Sequence, residues 1–461
     1  YESTTTFAYT KKGLLASTIS AEGITTSSTY DPLGRKVTHT VGEDTRYFAY
    51  DMSNEVIYSS DYRGVLTSIE RDKFGSIIHS TTGDIRTDYL YDLNHHKPEY
   101  IYKAGKLITK HNYNAIGQID SSETKFDPSS KQAKIVIKYN RTANRVDDII
   151  TINSGTGETL RTKSLHYDAL GKLEEVLIDD IVEKSFTYDI FGRIKDATST
   201  STPIPYTNSY TYNEYGNVLT QEANGKVVRT NYDKRNNQTE LIYPSGLNIR
   251  KTYDANNRLS TIEKRGLTDI TFHYDLDNRL KQTSYQNGVT QSLGYDTRGR
   301  QTSRHVYHDV DLLLHLENSY DKDSNLISQT YLNSNAIEAK SDQHYYMYDA
   351  HSRLGQEEEE TSTDLNSIIK TNTYEYDQQD NIIQTIIDEE ETNFTPDEVA
   401  QDQLTHESSA LGSKDIVYDD FGNLIHYGDT HYIFDNFNRL SKVEINNNTI
   451  VSYTFDALDR R

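Results

Sequence analysis

Tyrosine and aspartate stand side by side again and again along this chain, and a phenol beside a carboxylate is a pair that could move protons. The surrounding phrase is Tyr-Asp, two variable residues, Gly or Asn, often Arg or Asn, then Leu, Ile or Val. Clear copies are YDPLGRKV from Tyr30, YDALGKL from Tyr167, YDIFGRI from Tyr188, YNEYGNV from Tyr212, YDANNRL from Tyr253 and YDLDNRL from Tyr274. Further copies are YDTRGRQ from Tyr295, YDDFGNL from Tyr418, FDNFNRL from Phe434 and FDALDRR from Phe455. With degenerate forms at Tyr9, Tyr50, Arg71, Tyr91 and Tyr113 there are roughly 20 copies, and a repeat must be settled before any single pair is read as a site.

Read physically, each piece of the phrase serves folding. Asp at the first turn position can accept a hydrogen bond from the backbone two residues on. Gly34, Gly171, Gly192, Gly216 and Gly299 alternate with Asn257, Asn278 and Asn438 at a position suited to positive φ. The Leu, Ile or Val that follows starts the next strand, and the Tyr is expected to stack on neighbouring tyrosines with its hydroxyl in water.

The remaining chemistry-bearing clusters fare no better. The acidic runs at Glu357 to Glu360 and at Asp388 to Glu391 read as solvated loops, with loose cation binding as the alternative. His305, His308, Asp309, Asp311 and His315 form the densest histidine group. Strand alternation puts His305, Asp309 and Asp311 on one side and His308 on the other, too few imidazoles together for a metal site. His95 and His96 lie in a degenerate repeat turn and read as exposed. There is no G-x-S-x-G elbow, Walker loop, H-E-x-x-H helix or strand-borne G-x-G-x-x-G, and with no Cys thiol catalysis is excluded. The sequence therefore assigns no catalytic, cofactor-binding or metal-ligating residue, and the chain is expected not to be an enzyme.

The elements around these residues are hairpins. Motif starts step by 21 residues from Tyr232 to Tyr253, Tyr274 and Tyr295. Between Arg258 and Asp275 the sequence predicts a strand over Leu259 to Glu263, a turn at Lys264-Arg265-Gly266 and a strand over Leu267 to Tyr274. Asn224-Gly225, Ser245-Gly246 and Asn287-Gly288 mark equivalent turns. Two strands per repeat predict about 40 antiparallel strands, a ribbon roughly 190 Å long that must coil, since open twisted sheets rarely exceed ~10 strands. The expected fold is all-β: a long antiparallel hairpin ribbon coiled into a hollow spiral. It forms a single domain over residues 1–461, with longer hairpins or loops near 113–167 and 295–418.

Composition agrees. Hydrophobic residues are only 34%, yet 37 Tyr and 12 Phe are too many aromatics for a disordered chain. No apolar run reaches the ~18 residues of a membrane span. A net charge of −22 without a basic stripe argues against nucleic acid, and acidic surface serves solubility or attracts a basic partner or cargo. The chain opens at Tyr1 inside a repeat-like strand and stops just after a motif, as expected of a piece of a larger polypeptide.

The in-phase Tyr-Asp repeat resembles the RHS or YD-repeat family over essentially the whole chain. Its members include the B and C components of Tc-type insecticidal toxin complexes, Rhs and wall-associated polymorphic toxins, and teneurins. The stretch from Tyr374 to Arg461, with DQLT at Asp402 to Thr405, looks closest to the Tc-type components. The resemblance implies a secreted, hollow shell (an RHS/YD-repeat cocoon) holding a toxic C-terminal domain for delivery into a target cell. Its implied partners are that cargo, the remaining shell segments of the same or a partner chain, and a translocation-channel component. Shells that cut off their own toxin carry two spaced Asp-Pro-x-Gly motifs. Asp31-Pro32-Leu33-Gly34 matches once, inside an ordinary repeat, so self-cleavage by this chain is not implied. The alternative is an extracellular adhesion surface whose Tyr and Asn rows bind glycans or proteins.

Overall fold

Alternating β-branched and aromatic residues between Asp-led and Gly-bearing turns leave the backbone little choice but hairpins. A computed structural model describes residues 4–126, 133–142, 144–200, 206–264, 266–333, 340–362, 367–400 and 402–461. These residues form 41 strands in one sheet, and among them there is no helix.

The repeat between Arg258 and Asp275 shows the design. Strands Leu259–Lys264 and Leu267–Tyr274 pair antiparallel, with Ile262 opposite Ile270. Arg265, in the turn between them, lies outside the described residues. The next strand, Leu280–Tyr285, pairs with the same partner, and the register slips between His273 and Tyr274 so that Tyr274 faces Leu280. This bulge at the motif Tyr recurs at Tyr30, Tyr188, Tyr212 and Tyr295, turning the strand end toward the Asp-led turn. On the wetter face, hydroxyls nine residues apart bridge the two strands beside each motif, as Thr211 with Thr220 and Thr252 with Thr261, both at 2.6 Å.

The chain divides into two compact units, each made of an earlier and a later pass of the ribbon. One holds residues 1–88, 252–376 and 384–391, the other 89–251, 377–383 and 392–461. Only ten apolar side chains are buried among the described residues, as a one-layer sheet wetted on both faces requires. The best-packed group lies in the second unit, where Val176, Phe186, Ala197 and Ala457 form a cluster.

The longest strands fall in two stretches of the chain. Ala133–Thr142, Arg145–Asn153 and Thr159–Tyr167 run 9–10 residues, as do Asp311–Tyr320, Lys340–Tyr348, Leu354–Ser362 and Ser367–Tyr376. One expectation fails here. Glu357 to Glu360 are not a loop but the centre of the strand Leu354–Ser362, each half-buried and paired on both sides. Their neighbours explain it: Asn372 and His344 approach the Glu357 carboxylate at 3.3 Å, and Gln356 donates to Glu358 at 2.8 Å. Asp388 and Glu389 do form a turn, at φ of 51° and 69°, but Glu390 already opens the strand Glu390–Pro396.

Candidate docking site on the motif edge

The motif turn is a closed electrostatic unit. In YDLDNRL, the Asp275 Oδ1 accepts the N–H groups of Asp277 at 3.0 Å and Arg279 at 2.8 Å, while Arg279 Nε donates to Asp275 Oδ2 at 2.6 Å. Asn278 sits at φ 66°, where Asn is tolerated and most side chains clash. Asp31, Asp189, Asp254, Asp296 and Asp349 repeat the arrangement with Arg35, Arg193, Arg258, Arg300 and Arg353. In Asp254 burial works to raise the carboxyl, but the hydrogen bonds from Arg258 outweigh it and hold the group below its ordinary value. At Asp92 the N–H groups of Lys97, His95 and Asn94 overcome burial more strongly and bring the carboxyl down to about 2.

Each unit is then chained to its neighbour by the Tyr and the Arg. Tyr274 donates its hydroxyl to the Leu259 carbonyl at 2.8 Å, and the same bond joins Tyr188 to Leu173, Tyr212 to Ile194 and Tyr295 to Leu280. The hydroxyl is thus bound to backbone and not left to water, and the ring lies under a cation, Lys172 in the case of Tyr188, while Tyr212 also stacks on Tyr210 of its own strand at 6.5 Å. Arg258 covers Tyr274 at 4.5 Å, Arg279 covers Tyr295 at 4.7 Å and Arg193 covers Tyr212 at 4.5 Å. Burial, then the carboxylates of Asp168 and Asp275, push the Tyr188 and Tyr295 phenols up, so both remain donors.

The residue three places after the motif aromatic has a separate task, which the sequence alone did not assign. On the later pass it touches the earlier pass, at the hairpin edge opposite the motif edge. In the first unit, Asp277 accepts from Ser20 Oγ at 2.7 Å, and Arg298 reaches Asp44 at 3.3 Å. Asp323 accepts the N–H groups of Tyr62 and Arg63, each at 2.8 Å, and His351 meets Asp84 at 2.8 Å. In the second unit Arg161 stacks on Phe421 at 3.9 Å, Lys184 on Phe437 at 4.1 Å, and Phe437 and Leu458 pack against the Val176–Phe186–Ala197 cluster. Partners stand some 250 to 290 residues apart, as with Ser20 and Asp277 at 257 and Arg63 and Ser352 at 289. The docking position is polar in the first unit, at Asp277, Arg298, Asp323 and His351, and apolar in the second, at Phe421, Phe437 and Leu458, so residue type alone does not mark it in the sequence. Only knowledge of the returning ribbon gives it meaning.

The other clusters are placed differently from expectation. Register sets His305 opposite His315, with ring centroids 4.4 Å apart, and His315 Nε2 lies 3.0 Å from Glu317. Asp309 has left the strand for the turn at φ 53°, and Asp311 pairs with His308, so the grouping of His305, Asp309 and Asp311 does not form. Among the described residues no three His, Cys, Asp or Glu side chains are arranged to hold a metal ion. His95 and His96 are half-buried and not exposed: His95 lies 3.2 Å from both Asp92 and the Ala115 carbonyl, and His96 stacks on Tyr91 at 5.0 Å. Asp31 in the Asp-Pro-Leu-Gly match is an ordinary turn carboxylate, accepting from Leu33 and Arg35 at 2.9 Å each.

Repeated motif turns locked edge to edge across a hairpin ribbon define a YD-repeat shell wall. Residues 282–461 match the family model described as Teneurin YD-shell. The fold of the whole chain is the one seen in Tc toxins. A Tc holotoxin pore of Photorhabdus luminescens with a mutated TccC3 superposes at a TM-score of 0.75 with 14% identity, over 95% of this chain and 26% of that one. TcdB2-TccC3-TEV gives 0.60 at 13% identity over 95% and 26%, and TcdB2-TccC3 gives 0.55 at 13% over 97% and 27%. This chain therefore spans about a quarter of the solved chains it matches. No curated protein matches it. The family match over residues 282–461 and the fold of the whole chain support a shell-forming scaffold. No helix among the described residues is long and apolar enough to cross a membrane.

Proposed function

We propose that this chain is a non-catalytic segment of a secreted hollow shell that holds and shields a toxic C-terminal domain until delivery into a target cell. The observation that carries the proposal is the continuous hairpin wall whose later pass locks onto its earlier one through the third residue after each motif aromatic. The motif carboxylates are engaged by their own turns and the motif phenols by neighbouring carbonyls, which supports a scaffold over an enzyme. The likeness to structures containing TccC3 supports a cargo of the toxin class, and the acidic surface suits a cationic one.

Electron cryo-microscopy of the chain tests the proposal at modest resolution. The expected map is a curved wall one sheet thick, with ~4.8 Å strand spacing, around a central region of solvent density. Two sheets packed face to face at ~10 Å with no enclosed space would overturn it.

A further inference from the structure

Two pairs of histidines stand directly opposite each other on adjacent strands, and neither pair belongs to a motif turn. In the first unit His305 of Gln301–His308 faces His315 of Asp311–Tyr320, with ring centroids 4.4 Å apart. In the second unit His426 of Leu424–Tyr427 faces His431 of Thr430–Phe434, with centroids 4.0 Å apart. Both pairs lie on the wetter face. His426 is opposite Val417, the residue before a motif Tyr, and His305 is two residues from Ser303, which is opposite Gly294 before another. All four side chains are half-buried, so small ions can reach them.

The spacing is close to that of a chelate. Two imidazoles bound side by side to one metal ion at about 2.0–2.1 Å hold their ring centroids about 4.5–5.2 Å apart. Both pairs fall slightly inside that range, and a small side-chain rotation spreads them to it. Each pair also has a carboxylate beside it. His315 Nε2 lies 3.0 Å from Glu317, and His431 faces Glu444, which Lys442 also meets at 2.9 Å. No Lys or Arg stands directly opposite any of the four rings: the outer partners are Ser292, Leu332 and Val417.

We propose that each histidine pair chelates one late first-row divalent cation, Cu²⁺ most tightly and Ni²⁺ or Zn²⁺ less so, stapling its two strands together. Imidazole suits these ions, and the order follows their general affinity for nitrogen ligands. Two positions come from the protein and water fills the rest, since among the described residues no third His, Cys, Asp or Glu is arranged to join. His166 beside Glu175 and His406 beside Asp415 offer one imidazole each and set the background that a pair must exceed. The net charge of −22 draws cations toward the chain. A staple has most effect where strands are short, as with the four and five residues that carry His426 and His431. An ion bound only by the paired state keeps such a hairpin closed by mass action. The assignment is independent of the shell reading and stands or falls without it.

The test titrates Cu²⁺ and Zn²⁺ by calorimetry into the full chain, prepared without a histidine tag, beside His315→Gln, His431→Gln and the double variant. The parent is expected to take up two ions per chain at least about tenfold more tightly than the double variant binds any. Each single variant is expected to lose one of the two. His305→Gln and His426→Gln remove the other ring of each pair and should give the same losses; a loss seen with only one ring of a pair is a folding effect and counts against chelation. Zn²⁺ should also slow amide exchange in the strands carrying His305 and His315, in the parent and in His431→Gln but not in His315→Gln. Equal titrations of the parent and the double variant overturn the proposal. Ca²⁺ binding as tightly as Zn²⁺ overturns it too, because the ligands would then be carboxylates and not imidazoles.

Discussion

Replacing Asp275 by Asn separates the two jobs of the motif carboxylate. Asn keeps an oxygen for the N–H groups of Asp277 and Arg279 but gives up the charge that holds the Arg279 guanidinium at 2.6 Å. Both partners are shielded, with the Asp275 side chain 7% exposed and Arg279 21%, so solvent screens the pair little. Removing one member of such a pair costs about 3–5 kcal/mol when nothing replaces it. The retained acceptor places Asp275→Asn near the low end, at about 3 kcal/mol, a factor of roughly 150. Arg279→Asn should cost about 1.5 kcal/mol, for one charged hydrogen bond and the stack on Tyr295. The double variant strands no charge and should lie about 2 kcal/mol below the parent, not the ~4.5 of the sum, a coupling typical of contacting groups. The repeats already show the rule: where Asn replaces the motif Asp, at Asn114 and Asn213, the Arg position holds Gln118 or Asn217. Native-state hydrogen exchange is the assay, because a repeat wall opens locally and the amides of residues 277 and 279 report their own turn. If Asp275→Asn leaves those amides as protected as in the parent, or the two substitutions simply add, the turn is not held by this ion pair.

Tyr274→Phe removes only the hydrogen bond to the Leu259 carbonyl and should cost about 1 kcal/mol. The loss should be confined to exchange in the strands beginning at Leu259 and Leu267, and a global fall in stability would contradict the rung-by-rung picture. Ala457→Glu places a charge in the apolar recess and should release the last repeats, seen as rapid proteolysis after residue 434 with the rest of the chain intact. The motif carboxylates predict acid resistance. Their native values are depressed at Asp92, Asp189, Asp254, Asp296 and Asp349, so their contribution is fully present above the ordinary carboxylate range and is lost as pH falls through the native value. Far-ultraviolet circular dichroism should hold down to about pH 4 and fall toward pH 2, the value at Asp92; a transition centred near pH 6 would contradict this.

Local structure was almost entirely legible in the sequence because each repeat encodes it locally. The strand predicted over Leu259 to Glu263 ends one residue later, at Lys264, and Asn257, Asn278 and Asn438 take the positive φ expected of them. Side-chain partners were less legible. The Arg of the motif had no assigned role because its two partners, its own Asp and the next Tyr, are fixed only once successive turns are stacked. Glu357 to Glu360 looked like a loop because four adjacent charges resist burial, yet a one-layer sheet leaves both faces wet enough for a strand to carry them. The pairing of His305 with His315 depends on a bulge between Val306 and Tyr307, a one-residue event that alternation does not reveal. The docking position was the least visible, since its partners are some 250 residues away.

That distance makes the length of ribbon between two partners a fixed quantity. Each late motif meets its early partner only because a fixed contour length lies between them. Duplicating or deleting one 21-residue hairpin anywhere inside that length would be harmless to its immediate neighbours. It would nevertheless slide the later motifs one repeat along and set Asp323, His351 or Phe437 against partners chosen for someone else. The number of hairpins between two partners is therefore a quantity that the contacts within each unit hold fixed.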